Sequence, residues 1–208
     1  IYQPQLPSEE LLHGSLADAV ALAHFTGTEL LGLDGGQDVG FGVSVAPLVS
    51  DEQGRHSSSL IRKALSQGGP EEAARILGHW HRIEGEVRHG DRRGRELGFP
   101  TANLALDGLH QPRFGVYAVI VDVLDGPHRG RYPGVASIGV RPTFGESAPN
   151  LEVHLLDFDG DLYGAKLSVA LVAFQRPELR FESAEALVAA MHADADEARR
   201  RLAGLVAR

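Results

Sequence analysis

Residues 85–103 read GEVRHGDRRGRELGFPTAN, and the periodicity of the chain changes at this stretch. A short alternating strand leads into it, and strand patterns dominate from Arg82 onward. Gly85, Gly90, Gly94 and Gly98 are interleaved with Arg88, Arg92, Arg93 and Arg95 ahead of Pro100-Thr101-Ala102-Asn103. Glycine lets a backbone approach a ligand closely and leaves N–H groups free to cradle phosphate oxygens. The arginines add positive charge, and Thr101 and Asn103 offer neutral oxygens of the kind a hard, hydrated Mg2+ accepts. Together these features suit a nucleoside triphosphate with its metal. No GxxxxGK[ST] occurs, so the loop is not a P-loop. Glycine and charge alone favour a solvated, basic hairpin loop with no ligand.

Downstream of this loop, candidate strands fall at 82–88, 101–106, 115–124, 132–139, 150–157 and 162–174. Turns such as Asp125-Gly126 and Asp159-Gly160 separate them. Short strands at this spacing predict a closed antiparallel barrel, which removes exposed edges. A final helix is expected over 183–202, with Ser183 as N-cap and Leu187, Met191, Ala195, Ala198 and Leu202 on one face. Arg199, Arg200 and Arg201 would complement its C-terminal dipole.

Upstream, the pattern is α/β. A helix start is expected at 7–10, a short strand at 19–22, a glycine-rich loop at 26–40 and a strand at 41–45 that stops at Pro47. Ser57 or Ser58 then caps a helix that runs through Leu65 and ends at Gly68-Gly69. A second helix begins at Pro70, carries Glu71 and Glu72 in its first turn, and stops at Gly78.

Composition narrows the function. The 208 residues hold no cysteine, so disulfides and thiolate metal sites are excluded and a cytoplasmic location is the default. No apolar run approaches the roughly 20 residues needed to span a bilayer, and no signal peptide is visible. A formal charge of −8 argues against a broad nucleic-acid-binding face. The arginine cluster at 88–95 on an acidic chain fits a small anionic ligand better. Ten histidines include His79-x-His81 but no HExxH, so a zinc site is not expected.

The run GDRRGRELGFPTAN resembles the signature of riboflavin kinases, in the form found in bacterial bifunctional riboflavin kinase/FMN adenylyltransferases. The resemblance continues through FGVYAV (114–119), SIGVRPTFG (137–145), LEVHLLDFDGDLYG (151–164) and QRPELRFES (175–183). It implies a six-stranded Greek-key β-barrel with a C-terminal helix over 81–208. The implied reaction is ATP plus riboflavin giving ADP and FMN with Mg2+. The alternative is a non-catalytic flavin- or nucleotide-binding barrel.

Phosphoryl transfer asks a protein mainly to position two substrates and to stabilise charge. The resemblance implies ATP contacts from Gly90, Arg95, Gly98, Pro100, Thr101 and Asn103, with Thr101 and Asn103 also on the metal. The acceptor, a primary hydroxyl, needs a base. Glu152, between Leu151 and Val153, would by pattern alone point to solvent; the resemblance makes it the general base. His154, on the same strand face, either orients that base or packs as a structural histidine. Asp157 reads as a turn or structural carboxylate. Arg176 and Arg180 match positions near the flavin, or are surface arginines beside a helix start. Arg141-Pro142-Thr143-Phe144 reads as scaffold or a flavin-side lid.

HSSSLIRKAL (56–65) resembles the ISST-x-IR motif of nucleotidyltransferases, flanked by PLVSDEQGR and GGPEEAARILG in the family's order. Residues 1–80 are therefore expected to be a partial, nucleotidyltransferase-like FMN adenylyltransferase domain. Ser58, Ser59 and Arg62 would form its phosphate site at a helix start. No HxGH occurs, and the glycine-aspartate-phenylalanine loop is absent or altered around His24-Phe25-Thr26-Gly27. The expectation is riboflavin kinase activity, with FAD synthesis only in a longer protein that carries the missing motif. Partners are expected to be small molecules, with neither nucleic acid nor membrane; oligomeric state is not legible.

Overall fold

The computed structural model describes residues 50–51, 54–55, 57–90, 94, 97–140 and 149–205. The elements expected at 7–10, 19–22, 26–40 and 41–45 lie outside the described residues. So do Arg92, Arg93 and Arg95 of the glycine-rich loop, and the segment 141–148. Two compact units are present, Ile1–Arg55 and His56–Arg208. In the first, Ser50–Asp51 pairs antiparallel with Gly54–Arg55.

The second unit opens with two helices whose ends are set by local chemistry. Helix α1, Ser58–Gln67, is capped by Ser57, whose Oγ accepts the Leu60 N–H at 3.3 Å. Gly68 ends it at φ 80°, where a side chain would be strained and would crowd Arg113 and Phe174. Helix α2, Pro70–Leu77, carries proline in its first turn and stops at Gly78. Both helices thus belong to the same compact unit as the strands that follow. The Arg113 N–H donates to the Leu65 carbonyl at 2.9 Å, tying α1 to the segment that leads into the strand at Gly115.

Six strands form one antiparallel sheet: β1 Arg82–Glu86, β2 Ala102–Ala105, β3 Gly115–Val123, β4 Gly130–Val140, β5 Pro149–Leu155 and β6 Lys166–Arg176. Their spatial order is β1-β6-β3-β4-β5-β2. Strands β3, β4 and β5 follow one another, and β6 returns to lie beside β3, which is a Greek key. The sheet curls until its two edges meet: Arg88 and Asn103 form an antiparallel bridge, with the Arg88 N–H on the Asn103 carbonyl at 2.9 Å. The resulting barrel is nearly closed.

Alternation fills the interior with Ile83, Leu104, Tyr117, Ile138, Leu151 and Leu171, all at most 1% exposed. Each such apolar side chain contributes on the order of 1.5–3 kcal/mol when fully buried. Strands β3 and β6 depart from alternation because both of their faces are covered. Their outer residues Ala118, Ile120, Ala170 and Val172 pack under helix α3, Ala184–Leu202, against Ala195, Ala198 and Leu202. Ser183 caps α3 as its sequence implies, accepting from the Ala186 N–H at 3.2 Å.

Two details differ from the sequence reading. Strand β6 starts at Lys166, not at 162, because residues 162–165 turn: the Ala165 N–H bonds the Leu162 carbonyl, and Gly164 sits at φ 76°. On α3, Leu187 and Met191 are only half-buried, whereas the charged Asp194 is buried. The reason is an ion pair with Arg176 described below.

Candidate active site

The β2–β5 ladder sets the geometry. Its register pairs Ala102 with Val153, Asn103 with Glu152 and Leu104 with Leu151. Side chains directly opposite in an antiparallel pair share a face, with Cβ atoms roughly 4.5–5.5 Å apart. Leu104, Leu151 and Val153 point into the barrel, so Asn103 and Glu152 stand together on its outer face. Glu152 is also opposite Ser137 on β4. The row Asn103–Glu152–Ser137 therefore crosses three strands in register.

Asn103 is held from two sides. Its Oδ1 accepts from Asn150 Nδ2 at 2.9 Å, and its Nδ2 faces the Thr101 carbonyl at 3.4 Å. Gly90 lies directly over this carboxamide; a Cβ at Gly90 would fall 2.5 Å from Asn103 Nδ2 and displace it. A side chain at Gly94 would likewise drive into the Phe99 carbonyl. The Phe99 N–H bonds back to the Gly94 carbonyl at 2.7 Å, and Gly98 takes φ 81°. Glycine is thus required where the loop touches the turn that carries Thr101 and Asn103.

Beside this turn opens a cleft of about 250 Å3. Gly90, Pro100, Thr101 and Asn103 form one rim, Val87, Val153, Leu155 and Leu162 the apolar floor, and the segment 158–163 the far wall. That wall carries Asp159, Asp161, Phe158 and Tyr163. Asp161 Oδ1 accepts the Tyr163 N–H at 3.0 Å. The His89 ring lies over Tyr163 with centroids 4.0 Å apart, joining the glycine-rich loop to the wall. An apolar floor with a few polar groups at one rim is the usual build of a small-molecule site.

The structure therefore brings Gly90, Pro100, Thr101 and Asn103 to one cleft, with Glu152 on the face that Asn103 shares. Arg176 and Arg180 do not line that cleft. Arg176 binds the buried Asp194 in a two-pronged ion pair, Nε to Oδ1 at 2.9 Å and Nη2 to Oδ2 at 2.7 Å, which fixes α3 to the end of β6. Arg180 is exposed in the segment between β6 and α3. Ser58 and Ser59 are exposed on the first turn of α1, where Arg62 Nη2 donates to Ser58 Oγ at 3.2 Å. His154 bonds the Pro100 carbonyl through Nδ1 at 2.9 Å. Asp157, at φ 55°, accepts from Arg199 at 2.8 Å and so ties the wall segment to α3.

Sequence reasoning passed over Val87, Phe158, Asp159, Asp161, Leu162 and Tyr163 as cleft residues. A signal was present: FDGDLYG places aromatic, acidic and glycine residues together directly after β5, in a connection of fewer than a dozen residues.

Comparison with known proteins is consistent with this geometry. Residues 77–202 match the family described as Flavokinase: Riboflavin kinase. The chain is 47% identical over 165 residues to a bifunctional riboflavin kinase/FMN adenylyltransferase of Pseudomonas fluorescens, covering 79% of this chain and 52% of that one. A protein of the same name from Escherichia coli strain K12 is 42% identical over 159 residues, 76% of this chain and 50% of that one. A crystal structure named as a macrolide-efflux protein from Streptococcus pneumoniae shares the fold, with a TM-score of 0.67 at 38% identity, over 74% of this chain and 50% of that chain. This chain spans about half the length of the curated relatives it matches.

Proposed function

The chain belongs to the riboflavin kinase family, and from that premise we propose that it transfers the γ-phosphoryl group of ATP to the ribityl 5′-hydroxyl of riboflavin, giving FMN and ADP. The observation that carries this reading is the Asn103–Glu152 register. In that register the Asn103 carboxamide, read here as a metal and phosphate contact, stands opposite a carboxylate that would take the proton of the attacking hydroxyl.

In this reading the cleft takes ATP. Its apolar floor and aromatic wall suit a flat purine. The glycine-rich loop from Gly90 to Gly98, with Arg95, lies along the phosphates beside Pro100. Thr101 Oγ1 and Asn103 Oδ1 would hold Mg2+. The donor set fits the ion, because Mg2+ keeps several waters and takes few protein ligands when phosphate is present. When bound, it supplies charge neutralisation on the transferred group. Glu152 acts as general base, accepting the hydroxyl proton as the oxygen approaches phosphorus. Arg180 contributes to the flavin side. Arg176 acts there through Asp194, by fixing the segment 177–183 and α3.

Riboflavin and ATP are the partners, and the cytoplasm, where both occur, is the compartment. Among the described residues no helix is long and apolar enough to cross a membrane. Residues 1–80 are read as part of a nucleotidyltransferase-like FMN adenylyltransferase domain, with Ser58, Ser59 and Arg62 at its phosphate site. FAD synthesis belongs to a longer protein that supplies the HxGH motif.

The test is direct. Incubation with riboflavin, ATP and Mg2+ should yield FMN and ADP in equal amounts by chromatography, and a chelator should stop it. Absence of FMN at micromolar protein would remove this reading.

A further inference from the structure

We propose that His154 is a positioning residue for the phosphoryl-transfer site: its ring holds the Pro100–Thr101 peptide in place where the sheet no longer does. This rests on the kinase reading above. The β2–β5 ladder runs from Ala105 opposite Asn150 to Ala102 opposite Val153 and ends there. One further step would set Thr101 opposite His154. No backbone bond is made at that step, yet Thr101 carries one of the two oxygens assigned to the metal.

The His154 side chain takes over at this point. Nδ1 lies 2.9 Å from the Pro100 carbonyl oxygen. A carbonyl only accepts, so Nδ1 carries the proton and donates. That oxygen belongs to the planar peptide unit joining Pro100 to Thr101. Fixing the oxygen therefore fixes the direction of the Thr101 N–H and limits rotation of Thr101 to its own soft dihedrals. The ring is itself placed by packing: His154 lies against Phe99 at 5.1 Å between centroids, and Phe99 meets His192 of α3 edge-on at 4.8 Å. Phe99 is buried. Asn103 has its own strut in Asn150, so the peptide before Thr101 and the Asn103 carboxamide are braced separately, one from each end of the Asn150–His154 run.

His154 also shares a strand face with Glu152, two residues earlier. Its Nδ1 bond goes to the turn. Its action is on the nucleotide side.

Two variants separate positioning from bulk. His154→Leu keeps apolar volume and removes the donor; His154→Asn places an amide N–H close to where Nδ1 lies. The first readout is hydrogen–deuterium exchange of the ligand-free protein over residues 99–106. Exchange at 101–103 should quicken in H154L and return in H154N. The second is FMN formation, where H154L should lose roughly 10- to 100-fold in kcat/KM for ATP, as small misplacements near reacting groups do. KM for riboflavin should stay near wild type, and H154N should recover most of the loss. Unchanged exchange in H154L would overturn the proposal. So would equal kinetics in the two variants, or losses that simply track melting temperature. If wild-type protein formed no FMN, the kinase reading would fall, while the exchange comparison would still decide whether His154 holds the turn.

Discussion

Two polar rows cross the outer face of this barrel in strict register, and different residue types occupy them. One runs Glu84–Ser168–Asp122–Arg131 over β1, β6, β3 and β4. Arg82 threads it, donating through Nε to Ser168 Oγ at 2.6 Å and pairing with Asp122. Arg131 reaches Asp122 at 2.7 Å, and Ser168 passes a bond to Glu84 at 2.7 Å. Two cations here meet two carboxylates, so the row is close to neutral. The other row, Asn103–Glu152–Ser137, aligns an amide, a carboxylate and a hydroxyl across β2, β5 and β4, and only Asn103 of the three lines the cleft. The two rows differ in residue type: Arg82 and Arg131 accompany the first, and the three positions of the second are Asn103, Glu152 and Ser137.

The comparison breaks most sharply at Glu152. Replacing it with Gln should lower kcat by roughly 100-fold or more if it is the base, with KM for ATP little changed. An equal kcat in E152Q would return the second row to the same structural status as the first.

Next in size is the ion pair at the end of β6. Asp194→Asn leaves the Arg176 guanidinium without its charge partner in a largely buried setting and should cost about 2–3 kcal/mol. For a chain of this length that is a fall of roughly 5–10 °C in melting temperature. Conservation of kcat per folded molecule would mark the pair as scaffold; loss of riboflavin affinity as well would mark it as support for the flavin side.

The smallest effect belongs to the first row. The hydrogen bond from Arg131, reinforced by the Arg82 charge against partial burial, holds the Asp122 carboxyl below the ordinary carboxylate range. A depressed folded-state pKa stabilises above the unfolded value of about 4, and that contribution is lost as pH falls through the folded value. Asp122→Asn should therefore melt below wild type by a constant gap from pH 5 to 8, worth about 1 kcal/mol or less for a partly exposed pair. The gap should close in acid, below about pH 4. FMN formation should be unaffected; a gap that widened in acid would contradict the assignment.

Much of this was legible in the chain. Helix ends were written in Ser57, Gly68, Pro70, Gly78 and Ser183, where local hydrogen bonds and φ decide the outcome. Strand existence followed from alternation where one face is covered, and the family resemblance nominated Thr101, Asn103 and Glu152 for the roles proposed above. What was not legible depended on non-local pairing. Asp194 on an otherwise apolar helix face makes sense only once Arg176 is known to lie across from it. The cleft wall at 158–163 looked like a turn, because nothing local says that it faces Thr101. His154 resolved only when its ring met a carbonyl 54 positions away in sequence.

The central claim is that Asn103 and Glu152 serve one chemical event. Single-turnover FMN formation at saturating ATP in N103A, E152Q and the double variant tests it most directly. Residues acting as a unit are non-additive, so the double variant should be about as slow as the slower single one. Losses that multiply in full would show two independent contributions and contradict the shared site.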